Sequence, residues 1–520
     1  MGKHSPRTKR PGRPRATIAR LFSPASLIAG CIGWICAALP ACSASRDCTA
    51  RIIQTSKAGD KVTEKPSVSF TSENESSLPV ITLDPDRRYQ EILGFGGSFT
   101  ESSAHVLKDL SEEKRDEVLQ AYFSSDGAAY TLTRTHMGSC DFSLSNYTYA
   151  NTPGDYALSD FSIDEDRDDL VPLILDAAAV EGADFRIIAS PWTAPPWMKD
   201  NGGRNGGSLL PAYYDTWALF FCRYIEEYRK AGIPIWGVTT LNEPLGNSEQ
   251  WESMIFTPAE MARFVKDNLG PAFAEKNIDA RILIYDQNRD HLEEWAYAIL
   301  GDPEAAQYVW GTAVHWYSST IEWYPEELSR VHERFPDKRL LHTEGCIDSE
   351  VPVWRDDDWY WRPEATDWGH DWAAEEDKPL HPQYVPVYRY ARDIIGGLNS
   401  YLTGWIDWNI VLDDGGGPNH AGNWCIAPVI ARPETDEVYY TPLYYVMRHF
   451  SRYIRPGAVR IGVDNGIKGL MVTAVRNPDG GIVAAILNQA DRGERFALEF
   501  DARFAEIFIP GSALQTVIIE

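Results

Sequence analysis

The sequence predicts an α/β protein, a (β/α)8 TIM barrel with an attached β-sandwich side domain. Eight apolar, β-rich segments alternate with amphipathic segments between residues 92 and 408. Short β-rich segments separated by turn sequences follow after residue 454. Two glutamates each come directly after a β-rich segment, the fourth and the seventh of the series. An open doubly wound sheet is the structural alternative, but it would keep the ends of those two strands apart.

The barrel prediction rests on the spacing of apolar residues, which repeats every two residues in a half-buried strand and every 3.6 residues in an amphipathic helix. The predicted strands are residues 92–95, 130–136, 184–189, 233–241, 281–285, 308–315, 339–343 and 401–408. The predicted helices with a clear period are residues 111–123, 213–230, 257–276 and 385–398. We expect the catalytic barrel to cover residues 89–445. We expect residues 446–520 to form the β-sandwich together with one or two strands from residues 49–88.

The first 48 residues have the pattern of an export signal. A basic segment from Lys3 to Arg20 precedes a short apolar stretch, residues 27–39, which is too short to span a membrane comfortably. Small residues follow, and the sequence LPAC resembles a bacterial lipobox ending at Cys42. We therefore expect an exported protein that is periplasmic, extracellular or lipid-anchored at Cys42.

Charge limits the possible partners. The chain carries a net charge of −26, and its first 48 residues carry +7, so the remainder carries −33. Such an acidic body repels phosphate backbones and anionic membrane surfaces. We expect no nucleic-acid partner and a neutral or cationic substrate. Composition leaves the oligomeric state open.

The cysteines do not indicate a disulfide framework or a zinc site. The body contains Cys140, Cys222, Cys346 and Cys425, which are widely spaced and form no C-x-x-C pair. The expected state of these four residues is a buried thiol. No cluster of His, Cys and Asp has the spacing of metal ligands, so we expect neither a metal nor another cofactor.

Glu243 and Glu344 are the candidate catalytic residues. Glu243 lies in WGVTTLNEP and Glu344 in RLLHTEGC, each after an apolar strand. Because parallel barrel strands end at one face, both carboxylates can meet across its mouth, and cleavage of a glycosidic bond with retention needs such a pair about 5 Å apart. We assign the acid/base to Glu243 and the nucleophile to Glu344. The alternatives are a glutamate at a helix start and a surface glutamate after an edge strand.

Polar and aromatic residues around the same strand ends are candidate substrate ligands. Asn242 can bond a sugar 2-hydroxyl, whereas His315 and Tyr317 can donate hydrogen bonds that keep Glu344 ionised. Trp192 is expected to stack on a sugar ring, and Trp197 to pack inside the protein.

Two further segments are expected beside the mouth. Residues 94–104 are rich in glycine and lack the spacing of a phosphate loop, and we expect Glu101 to point into the mouth from there. Residues 407–424 carry Trp408 and Asn423 and are either a pocket wall or a solvated lid.

These segments together resemble glycoside hydrolase family 30, the family of lysosomal glucosylceramidase. The matching segments are GFGGSFTESSA, SCDFS, ASPWTAPPWMK, LNEP, AVHWY, HTEGC and GWIDWN…GGPN, in family order. The resemblance implies a retaining β-glycosidase with Glu243 as acid/base and Glu344 as nucleophile. It also implies a sugar subsite lined by the following residues: Trp192, Asn242, His315, Trp408 and Asn423.

One departure from the family pattern bears on specificity. The resemblance implies that glucosylceramidases carry Asp at the place of Glu101, where it bonds the outer hydroxyls of glucose, and Trp at the place of His420. We predict hydrolysis of β-linked glucosides. The alternatives are an endo-β-1,6-glucanase, a xylanase, a β-xylosidase or β-fucosidase, and, from another class, a surface carbohydrate-binding protein. The long segment 348–382 can close one end of a groove and favours exo action.

Overall fold

A computed structural model describes residues 48–74, 77–348, 351, 353–366, 375–376 and 378–520. The predicted export segment, including Cys42, lies outside the described residues except for Cys48. Part of the segment 348–382 also lies outside them. Within the described ranges, no helix combines the length and apolarity that crossing a membrane requires.

The strands and helices are numbered here in chain order. The strands are β1 Thr49–Ser56, β2 Thr63–Ser69, β3 Val80–Glu91, β4 Gly94–Phe99, β5 Leu132–Met137, β6 Arg186–Pro191, β7 Gly237–Thr239, β8 Arg281–Asn288, β9 Val309–His315, β10 Arg339–Glu344, β11 Leu402–Asp407, β12 Val411–Asp413, β13 Val429–Arg432, β14 Glu437–Tyr440, β15 Val459–Asn465, β16 Leu470–Arg476, β17 Ile482–Asn488, β18 Glu494–Phe500, β19 Arg503–Ile509 and β20 Ala513–Ile519. The helices are α1 Glu101–Asp109, α2 Glu112–Phe123, α3 Leu170–Ala179, α4 Tyr214–Lys230, α5 Pro258–Phe264, α6 Gly270–Glu275, α7 Leu292–Leu300, α8 Pro303–Ala306, α9 Pro325–Arg334, α10 Pro386–Asn399 and α11 Pro442–Ser451.

Strands β4 to β11 form a closed barrel in which every neighbouring pair is parallel. The predicted fold class is therefore confirmed, and each of the eight predicted segments contains or overlaps a barrel strand. The fourth strand, β7, is much shorter than the predicted 233–241. Beyond Thr239 the backbone pairs only irregularly with the ends of the neighbouring strands. Asn242 donates its backbone N–H to the carbonyl of Pro191, and Glu243 donates its backbone N–H to the carbonyl of Asp286.

The glycine-rich segment contains a barrel strand that runs beyond the predicted residues 92–95. Residues 94–99 form β4, and α1 begins directly afterwards with Thr100 as its N-cap, whose side chain accepts from the backbone N–H of Ser103. A Cβ atom on Gly96 would lie 1.7 Å from the carbonyl oxygen of Leu132. Glycine is required there because β4 and the entrance to β5 approach too closely for any side chain.

Three of the four predicted helical segments are confirmed, and the fourth is divided. Segments 111–123, 213–230 and 385–398 correspond to α2, α4 and α10. Segment 257–276 is divided, because a π-helical turn at Val265–Leu269 separates α5 from α6. Helix α3 was not predicted, because its sequence LVPLILDAAA is apolar on almost every side and shows little 3.6-residue contrast.

The side domain is built on one strongly curved sheet of nine strands. Its order is β19-β18-β3-β15-β16-β17-β20-β1-β2, so the strands before the barrel and those after it share the sheet. The two ends of the sheet approach each other, since Thr71 pairs with Phe504. Helix α11 runs across residue 445, the predicted boundary, and its buried His449 contacts Thr55 and Thr516 of the side domain.

Candidate active site

A cavity of about 450 Å³ opens at the carboxyl end of the barrel. The ends of several strands and the loops that follow them supply its walls. Its lining residues are Asp141, Phe142, Trp192, Asn242, Glu243, Asn247, Ser248, Gln250, Trp251, Asn288, Tyr317, Glu344, Cys346, Asp348, Trp408, Asn423, Trp424 and Cys425. This is the face on which TIM-barrel enzymes carry their chemistry.

Glu243 and Glu344 meet in this cavity. Glu344 is the last residue of β10 and is 6% exposed, whereas Glu243 lies beyond β7 and is partly exposed. A carboxylate oxygen of each lies within 4.8 Å of the other. Glu243 has a left-handed backbone with φ of 47°, a conformation that is uncommon outside glycine and that often marks functional positions. The pair therefore has one buried and one partly solvated carboxylate.

Arg134 holds the buried carboxylate of Glu344 in position. This fully buried residue of β5 donates hydrogen bonds to Glu344, to Asn242 Oδ1 at 2.8 Å and to Asp286 Oδ2 at 2.8 Å. The fork geometry of a guanidinium fixes the relative positions of the three acceptors. Arg134 therefore orients Glu344 and Asn242 together and holds a positive charge beside the Glu344 carboxylate.

His315 links the other carboxylate to the same network. Its Nδ1 lies 3.2 Å from Glu243 Oε1, and its Nε2 lies 3.0 Å from Asp286 Oδ1. Burial alone would lower the pKa of His315, but the negative charges of Glu344 and Asp286 outweigh it and raise the pKa to about 9. The imidazole is thus a cation at neutral pH. The ring is fully buried and is not among the residues that line the cavity, which corrects the prediction that it lines the sugar subsite. It contacts the carboxylate of Glu243 from the interior of the barrel.

Burial dominates the electrostatics of Glu344. Loss of solvation raises its pKa, and the cations His315 and Arg134 act in the opposite direction. The hydroxyl of Tyr317 also donates to Glu344 Oε1 at 3.0 Å. These donors favour the ionised form that a carboxylate nucleophile requires.

Aromatic rings form a wall of the cavity. Trp192 and Trp408 are buried and stacked, with ring centroids 5.3 Å apart and planes inclined by 23°. The guanidinium of Arg134 lies 4.8 Å from the Trp192 ring centre, so the ring is fixed by a cation–π contact. By contrast, Trp197 does not line the cavity, and its Nε1 donates to the carbonyl of Ala150 at 2.9 Å.

Glu101 does not reach the cavity, which corrects the prediction that it points into the mouth. It is the first residue of α1, and its backbone N–H donates to His136 Nε2 at 3.1 Å. Burial, reinforced by Asp169, raises its pKa to about 7, while the nearby Ser143 and the backbone of Leu144 act in the opposite direction.

Asp141 occupies the cavity wall instead. It belongs to the SCDFS segment, is 8% exposed, and accepts from Asn423 Nδ2 at 3.2 Å. Burial, together with the charge of Glu344, holds its pKa well above its usual range. The sequence pattern of this segment did not indicate a role for Asp141. Arg134 and Asp286 were not predicted either, although a charged residue directly after the apolar run ILIY of β8 was a signal for Asp286.

The loop after β11 is a wall of the cavity. The side chain of Asn419 donates to the carbonyl of Asn423 and accepts from its backbone N–H, which fixes Asn423 beside Asp141. His420 points away from the cavity and lies 3.2 Å from Glu252. Of the two interpretations of this loop, the structure favours the wall.

One group of side chains in the described part of the chain could hold a metal ion. Ligand atoms of Glu243, His315 and Glu344 lie within 4.8 Å of one another. However, His315 uses both ring nitrogens for carboxylates, and Arg134 already neutralises Glu344. The arrangement therefore suits carboxylate chemistry supported by fixed cations.

Comparison with known proteins connects this geometry to an enzyme family. Residues 92–372 and 373–454 match the glycosyl hydrolase family 30 TIM-barrel domain, and residues 457–517 match the family 30 beta sandwich domain. The chain is 34% identical to lysosomal acid glucosylceramidase of Mus musculus over 450 residues, which cover 84% of this chain and 83% of that protein.

Two solved structures have a similar fold. SrfJ from Salmonella typhimurium is 30% identical with a TM-score of 0.80, and the match covers 90% of this chain and 99% of that one. The endo-beta1,6-glucanase BT3312 is 27% identical with a TM-score of 0.77 and the same coverage of both chains.

Proposed function

The chain belongs to glycosyl hydrolase family 30, and from that premise we propose that it is a retaining β-glycosidase acting on β-linked glucosides, in the manner of a glucosylceramidase. That it is a glycoside hydrolase follows from the family. The substrate and the two-carboxylate mechanism are the proposal.

The observation that carries the proposal is the separation of the two carboxylates. Oxygens of Glu243 and Glu344 lie within 4.8 Å of each other. Retaining enzymes hold their carboxyl groups about 5 to 5.5 Å apart, whereas inverting enzymes need about 6.5 to 9.5 Å to admit a water. The distance leaves no space for that water and supports direct attack by one carboxylate.

Two displacements follow from these positions. Glu344 attacks the anomeric carbon while Glu243 donates a proton to the departing glycosidic oxygen, which gives a glycosyl ester on Glu344. Glu243 then takes a proton from water, and the resulting hydroxide attacks the same carbon and releases Glu344. The product keeps the β configuration because the carbon is inverted twice.

The nucleophile role of Glu344 is supported by its donors. Arg134 and Tyr317 contact it from two directions, and His315 adds a nearby positive charge. Glu243 is partly exposed and contacts only the imidazole in this network, so it remains accessible to the leaving group and to water. The two glutamates therefore have distinct environments, one buried among hydrogen-bond donors and one open to the leaving group.

The sugar is expected to lie between Asp141, Asn242 and the Trp192–Trp408 wall. Asp141 and Asn423 supply polar atoms on the side of the cavity away from the leaving group, and the rings supply an apolar face. The cavity, of about 450 Å³, has room for a sugar unit. Glucosylceramide, a glucosylated sphingolipid, is the substrate that the similarity to the mouse enzyme favours.

An endo-β-1,6-glucanase is the second candidate. It is favoured by the likeness to BT3312 across 90% of this chain. A xylanase, a β-xylosidase or a β-fucosidase would share the same carboxylates. A surface protein that only binds carbohydrate is disfavoured, because both carboxylates are present at a hydrolytic distance.

A substrate screen tests the proposal. The purified chain would be assayed on aryl β-glucoside, β-xyloside and β-fucoside, on glucosylceramide in detergent and on β-1,6-glucan, with Glu344→Gln as the matched inactive control. We expect the highest kcat/KM on a β-glucoside, and nuclear magnetic resonance should show the β anomer as the first product. A first product of α configuration would overturn the mechanism, and cleavage of β-1,6-glucan alone would favour the second candidate.

We also propose that the enzyme is exported, on the basis of its basic and apolar N-terminal sequence. Fractionation of the producing cells, with a deletion of residues 1–48 as the control, tests this proposal. Retention of the full-length protein in the cytoplasm would contradict it.

A further inference from the structure

Two thiols meet in the wall of the catalytic cavity. Cys346 lies two residues after Glu344, and Cys425 lies in the segment that carries Asn423. Their Sγ atoms are 2.9 Å apart. Both residues are buried from bulk solvent at 2% and 4% exposure, yet both line the cavity. The assigned glycosidase chemistry uses neither sulfur.

The backbones around the two thiols are also held together. Ile347 and Ile426, the residues that directly follow the cysteines, form an antiparallel bridge in which the N–H of Ile426 donates to the carbonyl of Ile347 at 2.8 Å. The N–H of Cys425 itself donates to Gly416. Since a covalent S–S bond is about 2.0 Å long, closing it requires the sulfur atoms to approach by roughly 1 Å. The bridge makes a large backbone movement unnecessary.

We propose that Cys346 and Cys425 form a disulfide when the protein meets an oxidising environment. The proposal is independent of the substrate and of the mechanism. It names a covalent modification that the wide spacing of the two cysteines, 79 residues apart, did not reveal in the sequence. The bond joins the end of β10, which presents the nucleophile, to the loop wall that carries Asn423.

The chemistry requires an external oxidant, and a small neutral disulfide that fits the cavity is sufficient. One protein thiol loses its proton, attacks a sulfur of the reagent and releases one reagent thiolate, giving a mixed disulfide. The second protein thiolate then attacks the protein sulfur of that mixed disulfide and releases the other reagent thiolate. The two thiol protons end on the two released thiols, and the protein has lost two electrons.

Two other buried cysteines, Cys222 and Cys140, provide internal controls. Cys222 is buried in α4, far from the cavity in the fold. Cys140 belongs to the same apolar cluster as Cys346 and Cys425, but its sulfur accepts from Ser143 at 3.8 Å. If proximity to the cavity were sufficient, Cys140 would also cross-link. The proposal restricts the bond to the pair in sulfur contact.

Differential alkylation tests the assignment. The folded protein would be treated with 2-hydroxyethyl disulfide, unfolded in a first alkylating reagent, then reduced and labelled with an isotopic form of that reagent. We expect Cys346 and Cys425 to carry the second label together and Cys222 to carry the first. First label on both cavity thiols, an adduct that remains on a single cysteine, or a cross-link through Cys140 would each overturn the proposal.

A stability measurement provides a second test. Because the bond would cross-link residues far apart in the sequence, it restricts the unfolded chain and should raise Tm. We expect oxidation to raise the Tm of the wild type and of Cys222→Ala by several degrees. The Tm of Cys425→Ala should be equal in oxidant and in reductant. An equal rise in Cys425→Ala would show that the effect does not come from this bond and would contradict the proposal.

Discussion

The imidazole of His315 lies 3.2 Å from the carboxylate of Glu243, and on its other side it contacts Asp286 at 3.0 Å. Asp286 in turn accepts from Arg134, which donates to Glu344. One buried chain of charges therefore connects the two glutamates beneath the cavity. A change at any of its members should therefore alter the electrostatic environment of both carboxylates.

The first prediction concerns the roles of the glutamates. Glu344→Gln should abolish covalent trapping by a fluorosugar inhibitor, because the amide cannot form the glycosyl ester. Glu243→Gln should still be trapped by a substrate with an activated aryl leaving group, which needs little protonation. With a poor leaving group its rate should fall about 10²- to 10⁴-fold. Mass spectrometry of the intact protein measures the trapped species. Equal loss of trapping in both variants with the activated substrate would contradict the assignment.

The second prediction concerns His315 and pH. Its pKa is raised in the folded protein to about 9, above the ordinary 6.5, so protonation favours the folded state. Its contribution is complete below pH 6.5 and is lost as pH rises through about 9. From the size of the shift, the loss is at most about 3 kcal/mol in the free energy of unfolding.

Denaturant unfolding of wild type and His315→Gln at pH 6 and pH 9.5 provides the check. The wild type should lose more stability over this interval than the variant, and the comparison cancels groups common to both proteins. The same slope in both would show that His315 does not carry a stabilising charge.

The third prediction concerns the sugar hydroxyls. Asp141→Asn should lower kcat/KM about 10- to 100-fold, because the amide replaces one carboxyl oxygen and leaves a hydrogen bond to the sugar unmade in a buried site. The loss should be unequal among β-glucoside, β-xyloside and β-fucoside, which differ at C4 or C6. Glu101→Asp is the matched control and should leave the order of the three substrates unchanged. One common factor for all three sugars in Asp141→Asn would indicate support of the loop rather than recognition.

The fourth prediction concerns metals. Overnight treatment with a chelator should leave the rate unchanged, because fixed cations and carboxylates account for the chemistry. A chelated enzyme whose rate returns only with added metal would contradict the prediction.

The sequence by itself determined the barrel and the meeting of two glutamates at its mouth. Glu243 and Glu344 each follow an apolar strand, and parallel strands in a closed barrel must end at one face, so local pattern and topology were sufficient. The same argument identified Trp192, Trp408, Asn242 and Tyr317 near the mouth, because these residues follow strand ends. Asn423 also lines the cavity, but hydrogen bonds of the Asn419 side chain fix its position.

Only the tertiary structure decided which carboxyl group lines the cavity and what supports the two glutamates. Glu101 was expected in the mouth, but it is the first residue of α1 and the cavity wall contains Asp141. The contact between Cys346 and Cys425 and the ion chain through Arg134 join residues far apart in sequence. The periodicity of apolar residues in the sequence predicts which face of a single helix or strand is buried. Which faces meet is set by the register and packing of all the strands together.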